Sequence, residues 1–359
     1  MPKAESQRTA LAQQIGADGL HLLHALEQAE APAELSDMAS VQLLRQVWQQ
    51  YYDLSGGKAK WRAGPQESSG EGIIRSPYDP EARTGKKRET TWFGYKVPLT
   101  ETCALETTED AQARAMPQLI VQVQTTVANV QDVDMTAVIQ EDLAKRDLLP
   151  EDQIVDTGYV DAALLVGSQQ KHGIRLVGPV LADNSWQAKE GRGFDVAHFQ
   201  IDWQHQQAIC PPGHMSSRWS LAGERMEVVF PPEICARCPV RSACTRSQTT
   251  GRVLHLRPQA AHEALQARRQ AQETPAFRQA YATRAGIEGT LSQAVRGMGI
   301  RRARYDGLPK VQVQHILTAV AINLVRIDAV LTNTPRGKTR QSNFTRLALQ
   351  PALQEQAAA

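Results

Sequence analysis

Aromatic side chains are scarce in this chain. Only 5% of its 359 residues are Phe, Trp or Tyr, although 42% are hydrophobic. A real core is therefore expected, built mainly from aliphatic residues, with the many Gln and Ala residues forming a helix-rich periphery. A charge excess is missing as well. Lys and Arg number 40 against 38 Asp and Glu, a net charge of +2, so composition alone does not announce a nucleic-acid partner. Residues 1–16 lack the apolar run of a signal peptide, and no stretch reads as a membrane span. A soluble, cytoplasmic protein without a membrane partner is expected. Cysteine is sparse too, and four of the five cysteines fall between positions 210 and 244. That distribution argues against a secreted disulfide framework and for a local metal site. No internal repeat is visible.

Six stretches follow along the chain. Residues 1–55 read as helical, with Leu11, Ile15, Leu20, Leu23 and Leu26, then Val41, Leu44, Val47 and Trp48, at helical spacings. Residues 56–87 are rich in Gly, Ser and Pro and read as a linker or loop ending in the basic run Gly85-Lys86-Lys87-Arg88. Residues 88–182 alternate between strand and helix: strands at 91–97 and 119–125, a helix at 134–148, a strand at 153–156, a helix at 162–170 and a strand at 174–180. That order predicts an α/β fold with a mixed sheet. Residues 183–258 interrupt it with short strands, the clearest at 226–230, around the cysteines. Residues 259–334 return to helix. In the last helix Val313, Leu317, Val320, Leu324, Ile327 and Leu331 form an apolar stripe, read as core packing or helix pairing. Residues 335–359 are expected to be a flexible tail.

Two acidic residues stand in distinctive settings. Asp156 follows the apolar pair Ile154-Val155 and precedes Thr157-Gly158, which places it at the carboxyl end of a strand, where α/β sheets commonly bind ligands. It could equally shape a turn. The nearby Asp161 reads as the N-cap of the next helix. Glu288 belongs to Tyr281-x-x-Arg284-x-x-x-Glu288, whose spacing puts all three side chains on one helix face. A plain Arg284–Glu288 surface pair is the alternative, worth about 0.3–0.5 kcal/mol. Gly286 and Gly289 flank the glutamate at a cost of about 1 kcal/mol each relative to Ala, which suggests close approach by something large, such as a nucleic-acid strand. Arg296, then Arg301, Arg302 and Arg304 beside Tyr305, then Lys310, offer phosphate contacts and a stacking ring, or simply a solvated basic face. Cys210, Cys235, Cys238 and Cys244 could complete a tetrahedral zinc site, with His214 as a substitute for Cys210; buried free thiols are the alternative. Cys103 stands alone and reads as core.

Taken together, several blocks resemble a DDE transposase of a bacterial insertion sequence, from about Ser76 to Arg346. They are Ser76 to Arg83, Gly94 to Val97, Val155 to Tyr159, the cysteine cluster, Glu288 to Gln293, Arg301 to Lys310, and Asn323 to Arg326. The resemblance implies a ribonuclease H-like fold with an insertion before the last catalytic helix. It also implies Mg²⁺-dependent DNA cleavage and strand transfer at terminal inverted repeats. Asp156 matches the second acidic member and Glu288 the third, with Tyr281 and Arg284 as their support. The basic residue that usually follows the glutamate is displaced: position 295 is Val, and Arg296 is nearest. The first aspartate, expected on an opening strand before Ser76, has no counterpart. Asp79 is the one substitute in reach, in a Pro-flanked loop that matches a non-catalytic block. The expectation is a truncated copy without activity of its own, in which a homodimer is admissible. The alternative is a zinc-stabilised DNA-binding protein without catalysis.

Overall fold

The computed structural model describes residues 2–334 apart from 29, 63, 65–71, 104–115 and 192. The expected tail, 335–359, lies outside the described residues. The chain opens with helices α1 (Glu5–Ala25), α2 (Glu34–Asp37) and α3 (Ala39–Tyr51). Two glycines set how α1 meets α3. Tyr52 lies over Gly16 and Trp48 over Gly19, where a Cβ would come within 2.3 and 1.9 Å of ring atoms. Trp48 Nε1 donates to Gly16 O at 3.0 Å, and Tyr52 Oη to Ala12 O at 2.9 Å. Strands β1 (Tyr52–Asp53) and β2 (Lys60–Trp61) then pair antiparallel.

The stretch 56–87 is more than a loop, because β2 and then β3 (Arg83–Lys87) lie within it. No hydrophobic alternation marks β3. It forms because β4 (Thr90–Lys96) folds back on it, with Trp92 over Gly85, where a Cβ would sit 2.4 Å from the indole. Strands β5 (Leu99–Glu101) and β6 (Ile120–Val123) pair antiparallel, and β7 (Thr126–Val127) pairs with β4. Next come α4 (Asp132–Lys145), β8 (Asp152–Ile154), α5 (Ala162–His172) and β9 (Arg175–Val177). Strands β8 and β9 run parallel, so the fold is mixed α/β as the element order predicts, but the strands form separate two- and three-stranded sheets in place of the expected single mixed sheet. Asp161 caps α5 by accepting from Leu164 N at 2.7 Å, and Gly173 closes the helix in the left-handed conformation.

The middle of the chain holds α6 (Trp186–Glu190), β10 (Gln200–Asp202), β11 (Gln207–Ile209), β12 (Arg218–Ala222) and β13 (Arg225–Val229). After them come α7 (Pro232–Arg237), α8 (Arg241–Cys244) and β14 (Val253–Leu256). The sheet β12-β13-β14 has a core of its own, in which Phe199, Ala208, Val228, Phe230, Leu254 and Leu256 are buried. Helices α9 (Gln259–Ala271), α10 (Pro275–Ala282), α11 (Ala285–Gly297) and α12 (Leu308–Leu331) complete the described chain.

Helix α12 corrects two expectations. Its buried face is Val311, His315, Ala319 and Ile322, not the stripe. Val313, Leu317, Val320, Leu324 and Leu331 are exposed by between 46% and 78%, so core packing does not hold them. The reason is polar. Asn323 accepts from Ile120 N and donates to Ile120 O, both at 2.8 Å, while Gln312 accepts from Thr125 N at 2.6 Å and donates to Val123 O at 2.9 Å. These amides satisfy the backbone edge of β6 as a neighbouring strand would, and they turn the stripe outward. The helix is also long and apolar enough to cross a membrane by length and composition, with a mean hydropathy of 1.4, against the expectation of no such stretch. Its bonds to the sheet are those of a helix packed on protein.

Candidate functional site

Asp156 lies just beyond β8, at its carboxyl end. Its Oδ1 accepts from Thr157 N at 2.8 Å and caps the short turn Thr157–Tyr159, so it does shape a turn. Its carboxylate also faces other groups. Burial first, then the charges of Asp132 and Asp156, raise the Tyr159 pKa well above its usual value.

Tyr281, Arg284 and Glu288 do not share one uninterrupted helix. Tyr281 lies in the last turn of α10, Arg284 stands at the N-cap of α11, and Glu288 lies in the first turn of α11. Tighter bonds, Arg284 N to Tyr281 O at 3.0 Å and Ile287 N to Arg284 O at 3.2 Å, carry the backbone across the junction and keep the three side chains together. Arg284 Nη2 meets Glu288 Oε1 at 2.8 Å and its guanidinium stands 5.7 Å from the Tyr281 ring centre. Burial first, and the Asp156 carboxylate next among the raising contacts, lift the Tyr281 pKa, with Arg284 opposing. Burial works to lower the Arg284 pKa, but Tyr281, Asp156 and Glu288 outweigh it and raise the value. The strand end and the helix start therefore converge on Arg284. Gly286 is in ordinary contact distance of Gln118 and Glu101, whereas Gly289 faces open space.

Beside this group lies a cleft of about 490 Å³. It is lined by residues 97–103 and 152–156, by Thr136, Ile139 and Leu143 from α4, and by Ile287 and Leu291 from α11. Cys103 is exposed on this wall and is not core, because β5 ends two residues before it. Sequence reasoning missed the group that fixes α11 to the sheet. Glu101 Oε2 meets Arg326 Nη1 at 3.1 Å and accepts from Thr290 Oγ1, while Arg326 Nη2 donates to that same hydroxyl. Its members lie up to 225 positions apart, so no local spacing announces them. Asp132, another cleft residue, is tied to Lys96 Nζ at 3.1 Å. Asp79 is held by Tyr95 Oη at 2.6 Å and Gly307 N at 3.3 Å, a structural post.

Arg296, Arg301, Arg302, Arg304 and Lys310 are exposed, and among the described residues none has an acidic partner within ion-pair distance. Tyr305 is 54% exposed next to them. The chain there runs from the end of α11 to the start of α12, so this basic loop follows the Glu288 helix directly.

The four clustered cysteines line one small cavity of about 20 Å³ together with His214, large enough for about one water-sized occupant. Cys210 Sγ accepts from His214 N at 3.3 Å and Cys235 Sγ from Arg252 N at 3.5 Å. Burial first pushes the Cys244 thiol up to about 11, with the other three cysteines adding to it and Arg252 opposing. Arg252 is half-buried, and its buried Nε has no hydrogen-bond partner among the described residues. The sulfurs gather, yet they do not close into a ligand set: among the described residues no group of three or more His, Cys, Asp or Glu is arranged to hold a metal ion. The same holds at Asp156 and Glu288, where a cation, Arg284, stands between two carboxylates. Among the described residues no third carboxylate is arranged with these two.

A family model described as a transposase DDE domain matches residues 209–328. That segment takes in the cysteine cluster, Glu288, the basic loop and most of α12, and leaves Asp156 outside. No curated protein and no solved structure matches the chain. Over residues 209–328, about a third of its length, the chain is similar to a transposase DDE domain.

Proposed function

We propose that this chain carries the DNA-cutting and strand-transfer core of a bacterial insertion-sequence transposase. Its α/β architecture is ribonuclease H-like, and it works in the cytoplasm on the terminal inverted repeats of its element. Asp156 and Glu288 are the second and third carboxylates, and Tyr281 and Arg284 position them. The observation that carries this reading is the meeting of a strand-end aspartate with a glutamate from a remote helix under one arginine. Mg²⁺ goes with such chemistry, but the acidic set within these residues is one carboxylate short, so the chain alone is inactive. Arg296, Arg301, Arg302, Arg304 and Lys310 hold the DNA backbone through phosphate contacts. The outward stripe of α12 supports a homodimer.

A supercoiled plasmid incubated with the purified chain and Mg²⁺ should stay intact while binding the protein. Nicking that disappears in Asp156→Ala would refute the inactive state. Absence of any DNA binding at low salt would remove the transposase reading of this chain.

A zinc ion held by Cys210, Cys235, Cys238 and Cys244 is supported by the shared cavity and by backbone N–H groups aimed at two of the sulfurs. Metal analysis should find one zinc per chain, lost in Cys235→Ser/Cys238→Ser; a metal-free folded protein sinks the idea. The thiol cluster and the unpaired arginines also favour a second reading, a zinc-stabilised DNA-binding protein without catalysis. That reading predicts DNA binding indifferent to Glu288→Ala even when the acidic set is complete.

A further inference from the structure

The basic run Gly85 to Arg88 forms the end of a hairpin. Strands β3 and β4 pair from Arg83 with Gly94 to Lys87 with Thr90, so Arg88 and Glu89 make the turn. Five paired positions give a ribbon about 17 Å long. Pleating sends directly opposed residues to one face and their chain neighbours to the other. Trp92 lies over Gly85, and Lys87 with Thr90 belongs to that same face. Lys86 belongs to the opposite face with Thr84, Thr91 and Phe93, and all four are exposed.

Two observations single out this tip. The first concerns Lys87, which lines the cleft that Asp156 and Arg284 also line. Glu101, Asp132, Asp152 and Arg284 of that cleft are each ion-paired, with Arg326, Lys96, Arg175 and Glu288 respectively. Lys87 has no acidic partner within ion-pair distance among the described residues, and neither have Lys86 and Arg88. The second concerns Arg88, whose φ of 54° is left-handed. Glycine, asparagine and aspartate adopt that conformation far more readily than arginine. Strain of this kind is kept where a side chain is used.

We propose that the β3-β4 hairpin is a second DNA contact, separate from the loop Arg301 to Lys310. Lys87 holds a phosphate of the strand that enters the cleft, and Lys86 and Arg88 hold phosphates of the duplex outside it. The inference deepens the transposase reading and rests on it. Charge supplies the reason. A cleft beside Asp156 and Glu288 repels a phosphodiester, and of the two cations that line it, Arg284 is engaged by Glu288 and Lys87 is free. Cations on both faces of a ribbon suit a ligand that runs past both, as a continuous polyanion does. The hydroxyls of Thr84 and Thr91 offer further phosphate donors. Phe93, 43% exposed beside them, offers a ring for a base face.

Fluorescence anisotropy of a labelled DNA duplex, titrated with salt, tests this on the full chain. Lys86→Ala/Lys87→Ala/Arg88→Gly should reduce the slope of log affinity against log salt by about 2–3. That reduction should add to the one caused by Arg301→Ala/Arg302→Ala/Arg304→Ala, because the two sites share no partner. Arg88→Gly alone should reduce the slope by about 1. Its thermal midpoint should be no lower than the parent's, since glycine relaxes the left-handed turn. A loss of binding in this variant is therefore not a loss of fold. An unchanged slope in either hairpin variant, while the Arg301 loop variant loses its share, overturns the hairpin contact and leaves the transposase reading standing. A parent chain that binds no duplex at low salt overturns both.

Discussion

Replacing Arg326 tests how the Glu288 helix is held in place. Arg326 and Glu101 are 19% and 6% exposed, with Nη1 and Oε2 3.1 Å apart. Arg326 also donates to Gln118 O at 2.6 Å. In Arg326→Met the aliphatic stem survives and the charge goes, leaving the Glu101 carboxylate buried with the Thr290 hydroxyl as its remaining donor. Breaking a buried pair from one side costs about 3–5 kcal/mol, and the partial exposure of Arg326 sets the expectation near the lower end, at about 3 kcal/mol. The double variant Glu101→Gln/Arg326→Met leaves no orphaned charge and should recover to within about 1 kcal/mol of the parent. Urea unfolding followed by far-ultraviolet circular dichroism measures all three proteins. A loss below about 1 kcal/mol in Arg326→Met would mean that Glu101 is solvated, and the proposed clamp on α11 would fall.

His315 is buried, with Nδ1 2.7 Å from Thr125 Oγ1, and burial lowers its pKa. Its neutral form stabilises the fold above the usual histidine pKa, and that contribution is lost as pH falls below it. The urea midpoint should therefore drop between pH 7 and pH 5, and less so in His315→Gln; equal drops would refute the assignment. Arg301→Ala/Arg302→Ala/Arg304→Ala should leave circular dichroism unchanged and reduce the slope of log affinity against log salt by about 2–3, measured by fluorescence anisotropy on duplex DNA. An unchanged slope would return the loop to a solvated basic face. Leu317→Glu/Leu324→Glu, on the exposed stripe, should convert a dimer into a monomer in sedimentation equilibrium, and a parent that is already monomeric refutes the pairing.

Local chemistry was legible in the chain. The N-cap at Asp161, the helices of 134–148 and 162–170, and the proximity of Tyr281, Arg284 and Glu288 depend on contacts within a few residues, which spacing encodes. The helix break after Ala282 did not disturb that grouping, because a turn of tighter pitch spans it. The face chosen by α12 was not legible. Its apolar periodicity is regular, and the side that meets protein was decided by Gln312 and Asn323 answering the backbone of β6, a partner nearly two hundred positions away or more.

The sequence alone determined which residue types were available: two carboxylates in strand-end and helix-start contexts, a cysteine cluster and a basic loop. Tertiary structure decided what they face. It brought Arg284 to both carboxylates, left the four thiols around a cavity without a closed ligand set, and opened a cleft beside Asp156. Those outcomes depend on long-range backbone pairing and on which helix faces meet the sheet, and neither is written in local periodicity.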